Sequence, residues 1–146
     1  MRTAIVEHVL DPAALLDEVA STDSGASTLF VGTVRRVNEG RDVTGIDYSA
    51  YGPMAESEMG MIAAEAEKRF GTSRIVVEHR LGTLTLGEAS IIIAVSHPRR
   101  APAIEAQRFL IEEIKKRVPV WKREHYADGT REWVEPTAGV VAGGAA

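Results

Sequence analysis

The sequence predicts an α+β fold, a single domain in which helices pack on a mixed, mostly antiparallel sheet. Three observations carry that expectation. Strand-like and helix-like segments follow one another in the order β-α-β-β-α-β-β-α-β-β, which suits helices set against one mixed sheet. The run Ile91-Ile92-Ile93-Ala94-Val95 is apolar at every position, as a strand buried on both faces must be. A chain of 146 residues has the length of one domain, able to bury about two-thirds of its unfolded surface.

The elements follow in order. Residues 3–8 alternate weakly and read as a first strand. Asp11-Pro12 then supplies a helix N-cap with proline at the first helical position, and residues 13–20 fit a short amphipathic helix. After a polar loop, Thr28 to Arg35 is a β-rich run. It ends in Asn38-Glu39-Gly40-Arg41-Asp42, read as a turn. Val43 to Tyr51 resumes as a strand, with Val43, Gly45, Asp47, Ser49 and Tyr51 on one face and Thr44, Ile46, Tyr48 and Ala50 on the other. Gly52-Pro53 breaks it.

Ala55, Met59, Ile62, Ala66 and Phe70 recur at helical spacing, so a helix spans about 54–70, with Gly71 as its C′ residue. Strands fit 74–80 and 89–96, separated by a connecting segment at 81–88. The last long helix runs over about 101–117. Its inner stripe is Ile104, Gln107, Ile111, Ile114 and Val118, with Leu110 beside it. Pro119 ends it. Residues 120–134 suit a hairpin around Ala127-Asp128-Gly129-Thr130, in which Trp121 and Trp133 are expected to pack against the sheet. The domain is taken as 1–136, and the small apolar residues 137–146 as a disordered tail.

Composition excludes several chemistries. The chain has no cysteine, which removes disulfides, zinc–thiolate sites, iron–sulfur ligation, a thiol nucleophile and a persulfide carrier. His8, His79, His97 and His125 show no HxxxH or HxH spacing, so no metal site is expected. No stretch approaches the ~20 apolar residues of a membrane span, and the start has no long apolar h-region. A cytoplasmic protein is the expectation.

Charge is uneven. The net charge is −4, yet residues 99–131 hold nine Lys/Arg against five Asp/Glu. Within that region, Lys115-Lys116-Arg117-Val118-Pro119-Val120-Trp121-Lys122-Arg123 gathers five cations in nine residues. Such a cluster in an acidic protein points to an anion site. Lys115 lies four residues after Ile111, bordering the predicted stripe, and Lys122 returns after the proline. If their amines converge, mutual repulsion lowers their pKa values, and a lysine so tuned serves as acid, base or nucleophile. From pattern alone, a dipole-favoured helix end explains Lys115 and a solvated hairpin explains Lys122. Arg35 ends its strand, and Arg41 sits in a polar loop that could face a phosphate. His97, Arg99 and Arg100 stand at a strand-to-helix junction, where backbone N–H groups and the helix dipole favour anions. No P-loop or dinucleotide fingerprint is present.

Taken together and in order, these motifs resemble one family, the large catalytic subunit of molybdopterin synthase. The segments that carry the resemblance are Phe30-Val31-Gly32-Thr33-Val34-Arg35, Gly40-Arg41-Asp42-Val43, Tyr51 with Met54-Ala55-Glu56, His79-Arg80-Leu81-Gly82, Gly87-Glu88, Lys115 through Glu124, and Trp133-Val134. They extend over about residues 28–135 of the sequence.

The resemblance implies an α/β hammerhead fold and a dimer of large subunits. Each would bind a small ubiquitin-like sulfur-carrier subunit ending in a Gly-Gly thiocarboxylate, giving a heterotetramer. It implies a sulfurtransferase that needs no cofactor and acts on cyclic pyranopterin monophosphate, forming the dithiolene of molybdopterin. By position, Lys115 and Lys122 match the catalytic lysines, and Arg35 and Arg100 match pocket arginines. The sequence departs from the family where Ser, one residue, then His-Arg is usual: Arg99 takes the histidine's place and His97 lies two residues earlier. Either His97 reaches the same pocket through the Pro98 bend, or Arg99 replaces it as an anion ligand. Two other classes, a small-ligand regulator and a nucleic-acid-binding module, fit the residues less well. The acidic balance and single short basic run weigh against nucleic acid.

Overall fold

The computed structural model describes residues 1–134. Its elements are β1 (Arg2–Val6), α1 (Pro12–Val19), β2 (Ala26–Thr33), β3 (Val37–Asn38), β4 (Arg41–Ser49), α2 (Gly52–Phe70), β5 (Ile75–Arg80), β6 (Gly82–Thr85), β7 (Ala89–His97), α3 (Arg100–Arg117), β8 (Trp121–Tyr126) and β9 (Arg131–Val134). They form two sheets. The first has the order β1-β5-β7-β2; the second runs β3-β4-β8-β9, with β6 on the other side of β4. Among the described residues only the β1–β5 pair is parallel, so the arrangement is mixed and mostly antiparallel, as expected. The expected tail at 137–146 lies outside the described residues.

Local chemistry accounts for the helix ends. The Asp11 carboxylate accepts the Ala14 N–H at 3.2 Å, and Pro12 opens α1. Pro53 sits in the first turn of α2 and does not stop it, because a first-turn residue needs no N–H partner. Gly71 adopts φ 74° and caps α2 through its N–H on the Glu67 carbonyl at 2.9 Å, a left-handed conformation that glycine takes without a Cβ penalty. Helices α2 and α3 cover one face of the first sheet, burying Met59, Ile62, Ile93, Val95 and Leu110. Helix α1 covers the other with Leu15 and Val19 against Val76 and Ile92. β7 is therefore buried on both faces. A smaller core of Val34, Val43, Ile46, Leu84 and Tyr126 lies inside the second sheet.

Four expectations are corrected. The inner stripe of α3 is Ala103, Ala106, Leu110 and Ile114, not the one through Ile104, which is 58% exposed. The alanines let the helix approach the sheet closely, and this turns the bulkier Ile104 outward. In β4 the simple alternation fails: the register against β8 shifts between Val43 and Gly45. Such a bulge places Val43 on the same side as Ile46 and Tyr48. Asn38, read as the start of a turn over 38–42, joins Val37 in the short strand β3, Arg41 and Asp42 already belong to β4, and residues 82–85 of the expected connection form the short strand β6. Trp121 and Trp133 are 44% and 55% exposed and do not pack inside the sheet; Trp133 instead lies under the Arg123 guanidinium, 5.1 Å from its ring centroid.

Candidate active site

A cavity of about 310 Å³ opens where the end of the first sheet meets the inward face of the second. Its walls come from β2 (Phe30, Gly32), β4 (Ile46, Tyr48), the start of β7 (Ser90, Ile91), the last turn of α3 (Lys115) and β8 (Lys122, Glu124), with Arg35 and Asn38 at the strand connection. Helix α3 stops at Arg117, where Val118 caps it on the Ile114 carbonyl at 3.0 Å. Pro119 then lets the chain reverse into β8, and that reversal puts both lysines on one cavity.

Arg35, Lys115 and Lys122 thus share a confined space. Lys115 keeps much of its surface open, yet protein packed around its amine lowers its pKa below the ordinary lysine value, and the charges of Lys122 and Arg35 push the same way. Facing these cations is one acid. Glu124 is 1% exposed, with Lys122 Nζ 3.6 Å from its Oε1. Asn38 Nδ2 donates to both carboxylate oxygens at 2.9 Å, and the Tyr126 hydroxyl donates to Oε2 at 3.0 Å. Arg35 Nη2 donates to Asn38 Oδ1 at 3.1 Å. A continuous chain therefore runs Arg35–Asn38–Glu124–Lys122. Burial, with Glu124 as acceptor, pushes the Tyr126 phenol up to about 12.

Other candidate residues lie elsewhere. Arg41 stacks 3.4 Å over the Tyr126 ring and binds Glu132 and Thr130, each at 2.9 Å; it clasps the β8–β9 hairpin from outside. His97 is buried at the far end of β7. Its Nδ1 accepts the Arg99 N–H at 2.9 Å, which leaves Nε2–H to donate to the Phe70 carbonyl at 3.1 Å, so both ring nitrogens hold backbone. Arg99 and Arg100 border a separate exposed hollow at the start of α3. Lys115 lies 15 residues after Arg100 along α3, and at about 1.5 Å of rise per residue the two are roughly 22 Å apart along the helix. One chain does not bring His97, Arg99, Arg100 or Arg41 to the lysine cavity.

The rest of the basic run is spent on ion pairs. Lys116 faces Glu113 at 3.5 Å, Arg117 bridges Glu58 and Glu65 at 3.0 and 2.7 Å, and Arg123 binds Asp47 at 2.7 Å. Paired in this way, these three residues of the run do not add to a free basic strip of the kind a nucleic-acid backbone needs. The motif residues Arg80 and Glu88 meet at 3.0 Å while Glu88 accepts the Thr85 N–H at 2.8 Å; they tie the β6–β7 turn to the end of β5.

Sequence reasoning missed Glu124, Asn38 and Tyr48. Strand alternation could have found Glu124, which lies two residues beyond Lys122 and so on the same face. The tie of Asn38 to Glu124 depends on folding and has no local signature.

The fold and this cavity define an α+β domain in which two lysine amines and an arginine line one cavity, an arrangement suited to an anion. Comparison with known proteins specifies the group further. The family model described as MoaE protein matches residues 5–117. The molybdopterin synthase catalytic subunits of Halalkalibacterium halodurans and Synechococcus elongatus are 39% and 49% identical, over 91% and 75% of this chain and 85% and 67% of their own. The crystal structure of molybdopterin synthase from Staphylococcus aureus is similar, with a TM-score of 0.84 and 32% identity over 89% of this chain and 94% of that one. The chain belongs to the MoaE family.

Proposed function

We propose that this chain is the catalytic subunit of a molybdopterin synthase, a cytoplasmic sulfurtransferase. It moves sulfur from the C-terminal thiocarboxylate of a small ubiquitin-like subunit to cyclic pyranopterin monophosphate, forming the dithiolene. The observation that supports this most directly is the convergence of Lys115, Lys122 and Arg35 on one cavity in a chain without a thiol. A phosphate and a thiocarboxylate are both anions, and charge-assisted hydrogen bonds are strongest where water is scarce. Sulfur must then arrive from a partner.

In this reading Arg35 holds the substrate phosphate. Lys122, steadied by Glu124, holds the second anion. Lys115, whose lowered pKa leaves more free amine, moves the proton at the thiocarboxylate carbonyl. Arg99 and Arg100 take part only in a dimer that sets the α3 start of a second copy against this cavity; Arg41 and His97 serve the fold. The assembly is a dimer of this chain carrying two small subunits.

Reconstitution with a thiocarboxylated small subunit and the cyclic pterin tests the proposal. The native protein is expected to yield dithiolene, and Lys115→Ala to fold and yield none. Absence of product from the native protein would overturn the function; near-native turnover by Lys115→Ala would overturn the lysine's role.

A further inference from the structure

We propose that Tyr48 is a further catalytic residue of this cavity: its phenol donates a hydrogen bond to the acyl carbonyl oxygen on which negative charge develops during sulfur transfer. The inference rests on the sulfur-transfer reading above.

Placement comes first. Tyr48 lies directly opposite Lys122 in the β4–β8 register, and Ile46 lies opposite Glu124. Directly opposed side chains on one sheet face are nearest neighbours, so the phenol sits beside the amine assigned to an anion. On its other side the register partner is Gly82 of β6, which offers no side chain to cover it. The ring is held from behind by His79, edge-on at 5.4 Å and 72°. His79 is itself fixed by its Nδ1 contact to the Arg80 carbonyl at 3.1 Å.

Availability comes second. Asn38 Nδ2 is committed to Glu124, and the Ser90 hydroxyl donates to the Gly32 carbonyl at 3.3 Å. The Ser90 hydroxyl is also a hydrogen-bonding neighbour of the Tyr48 phenol, a single neutral contact that an incoming carbonyl oxygen can replace. Burial raises the phenol's pKa, the Ser90 hydroxyl pulls the other way and the nearby Glu124 charge adds to the rise; the net shift is upward, so the phenol keeps its proton through neutral pH. The charged or titratable groups around it are Lys122 and Glu124 from β8, Lys115 from α3, Arg35, and His79 from β5. Burial pulls His79 down to about 4, with the Lys115 charge contributing, so it stays neutral.

The chemistry has a place for such a donor. When the thiocarboxylate sulfur displaces an oxygen substituent from a pterin carbon, the C–S bond forms as the C–O bond breaks, the departing oxygen takes a proton from the Lys115 ammonium, and the partner's terminal carbonyl becomes a thioester. Water adds to the thioester carbonyl carbon, its proton goes to the now free Lys115 amine, and the carbonyl electron pair moves onto oxygen. Collapse restores the carbonyl and breaks the C–S bond. Sulfur stays on the pterin as thiolate, and the partner leaves as a carboxylic acid that ionises. Nothing is oxidised or reduced. A donor aimed at that oxygen stabilises the charged species more than the ground state.

Tyr48→Phe removes only the hydroxyl. In the reconstituted reaction its single-turnover rate is expected to fall about 10²-fold, the usual loss for one oxyanion donor. Affinity for the small subunit stays unchanged, and the partner–pterin thioester accumulates in intact-mass spectra. A native rate with no thioester overturns the inference. A fluorinated tyrosine at position 48 keeps the ring and lowers the phenol pKa, so the alkaline limb of the rate profile is expected to move to lower pH; an unmoved limb also overturns it. If the native protein itself makes no dithiolene, it is the sulfur-transfer reading that fails.

Discussion

Lys122 and Glu124 project from the same face of β8 with amine and carboxylate 3.6 Å apart, and the carboxylate is sealed from water while the amine faces the cavity. A buried acid whose other partners are an amide and a phenol needs a nearby cation to offset its desolvation. Glu124 in turn holds Asn38, and through it Arg35, in fixed positions. Glu124→Gln keeps the volume and removes the charge. It is expected to cost about 1.5–3 kcal/mol of stability, the usual size of hydrogen bonds to a charged group, read from urea unfolding. In the proposed reaction KM for the pterin should rise more than kcat falls, because Lys122 and Arg35 lose their common anchor.

Lys115 offers a pH test that does not depend on turnover. Its pKa is lowered by burial, then by Lys122 and Arg35. Its labelling by an amine-reactive anhydride, followed by peptide mass spectrometry, should rise with pH at lower pH than for a free lysine side chain, which titrates at about 10.4. Removing a neighbouring positive charge raises an amine pKa, so Lys122→Gln should move the Lys115 curve to higher pH. Because burial is the larger cause, the shift should stop short of the curve for an exposed lysine.

Asp47 carries the main acid-sensitive contact on the outer face of the second sheet. Burial alone would raise its pKa. Hydrogen bonds from His125 at 2.8 Å, Arg123 at 2.7 Å and Thr83 at 2.8 Å outweigh this and bring it to about 2. A folded-state pKa below the unfolded value gives stability that is full above the unfolded pKa and lost as pH falls towards the folded one. Asp47 should therefore contribute above about pH 4 and lose that contribution down to about pH 2. Asp47→Asn should flatten the dependence of the urea midpoint on pH in that window and lower the midpoint at neutral pH.

What the sequence made legible was local. The Asp11-Pro12 cap, the Gly71 terminus, the Ile-rich central strand and the hairpin at 127–130 each depend on neighbours in the chain. Even the meeting of Lys115 with Lys122 was readable as a possibility, since Pro119 forces a reversal between them. β3 and β6 were not legible, because strands of two and four residues exist only through pairing with β4. Glu124, Asn38 and Tyr48 gain their roles from cross-strand register and packing between distant segments. Arg41 and His97 looked like ligands because a loop arginine and a junction histidine look alike whether they face substrate or backbone.

The orientation of α3 sets where Lys115 points, and it can be checked by stability alone. Leu110 is fully buried against the first sheet, and Ile104 faces outward. Leu110→Ala should cost about 2–5 kcal/mol through lost burial and the cavity left behind. Ile104→Ser, despite removing a comparably large apolar side chain, should stay within about 0.5 kcal/mol, as surface substitutions do. Ala106→Leu should cost about 1–3 kcal/mol by forcing α3 away from the sheet, and it should also reduce turnover, because the same displacement moves Lys115 relative to Lys122. The stripe drawn through Ile104 would give the opposite ranking in urea unfolding, with Ile104→Ser the costly change and Ala106→Leu tolerated.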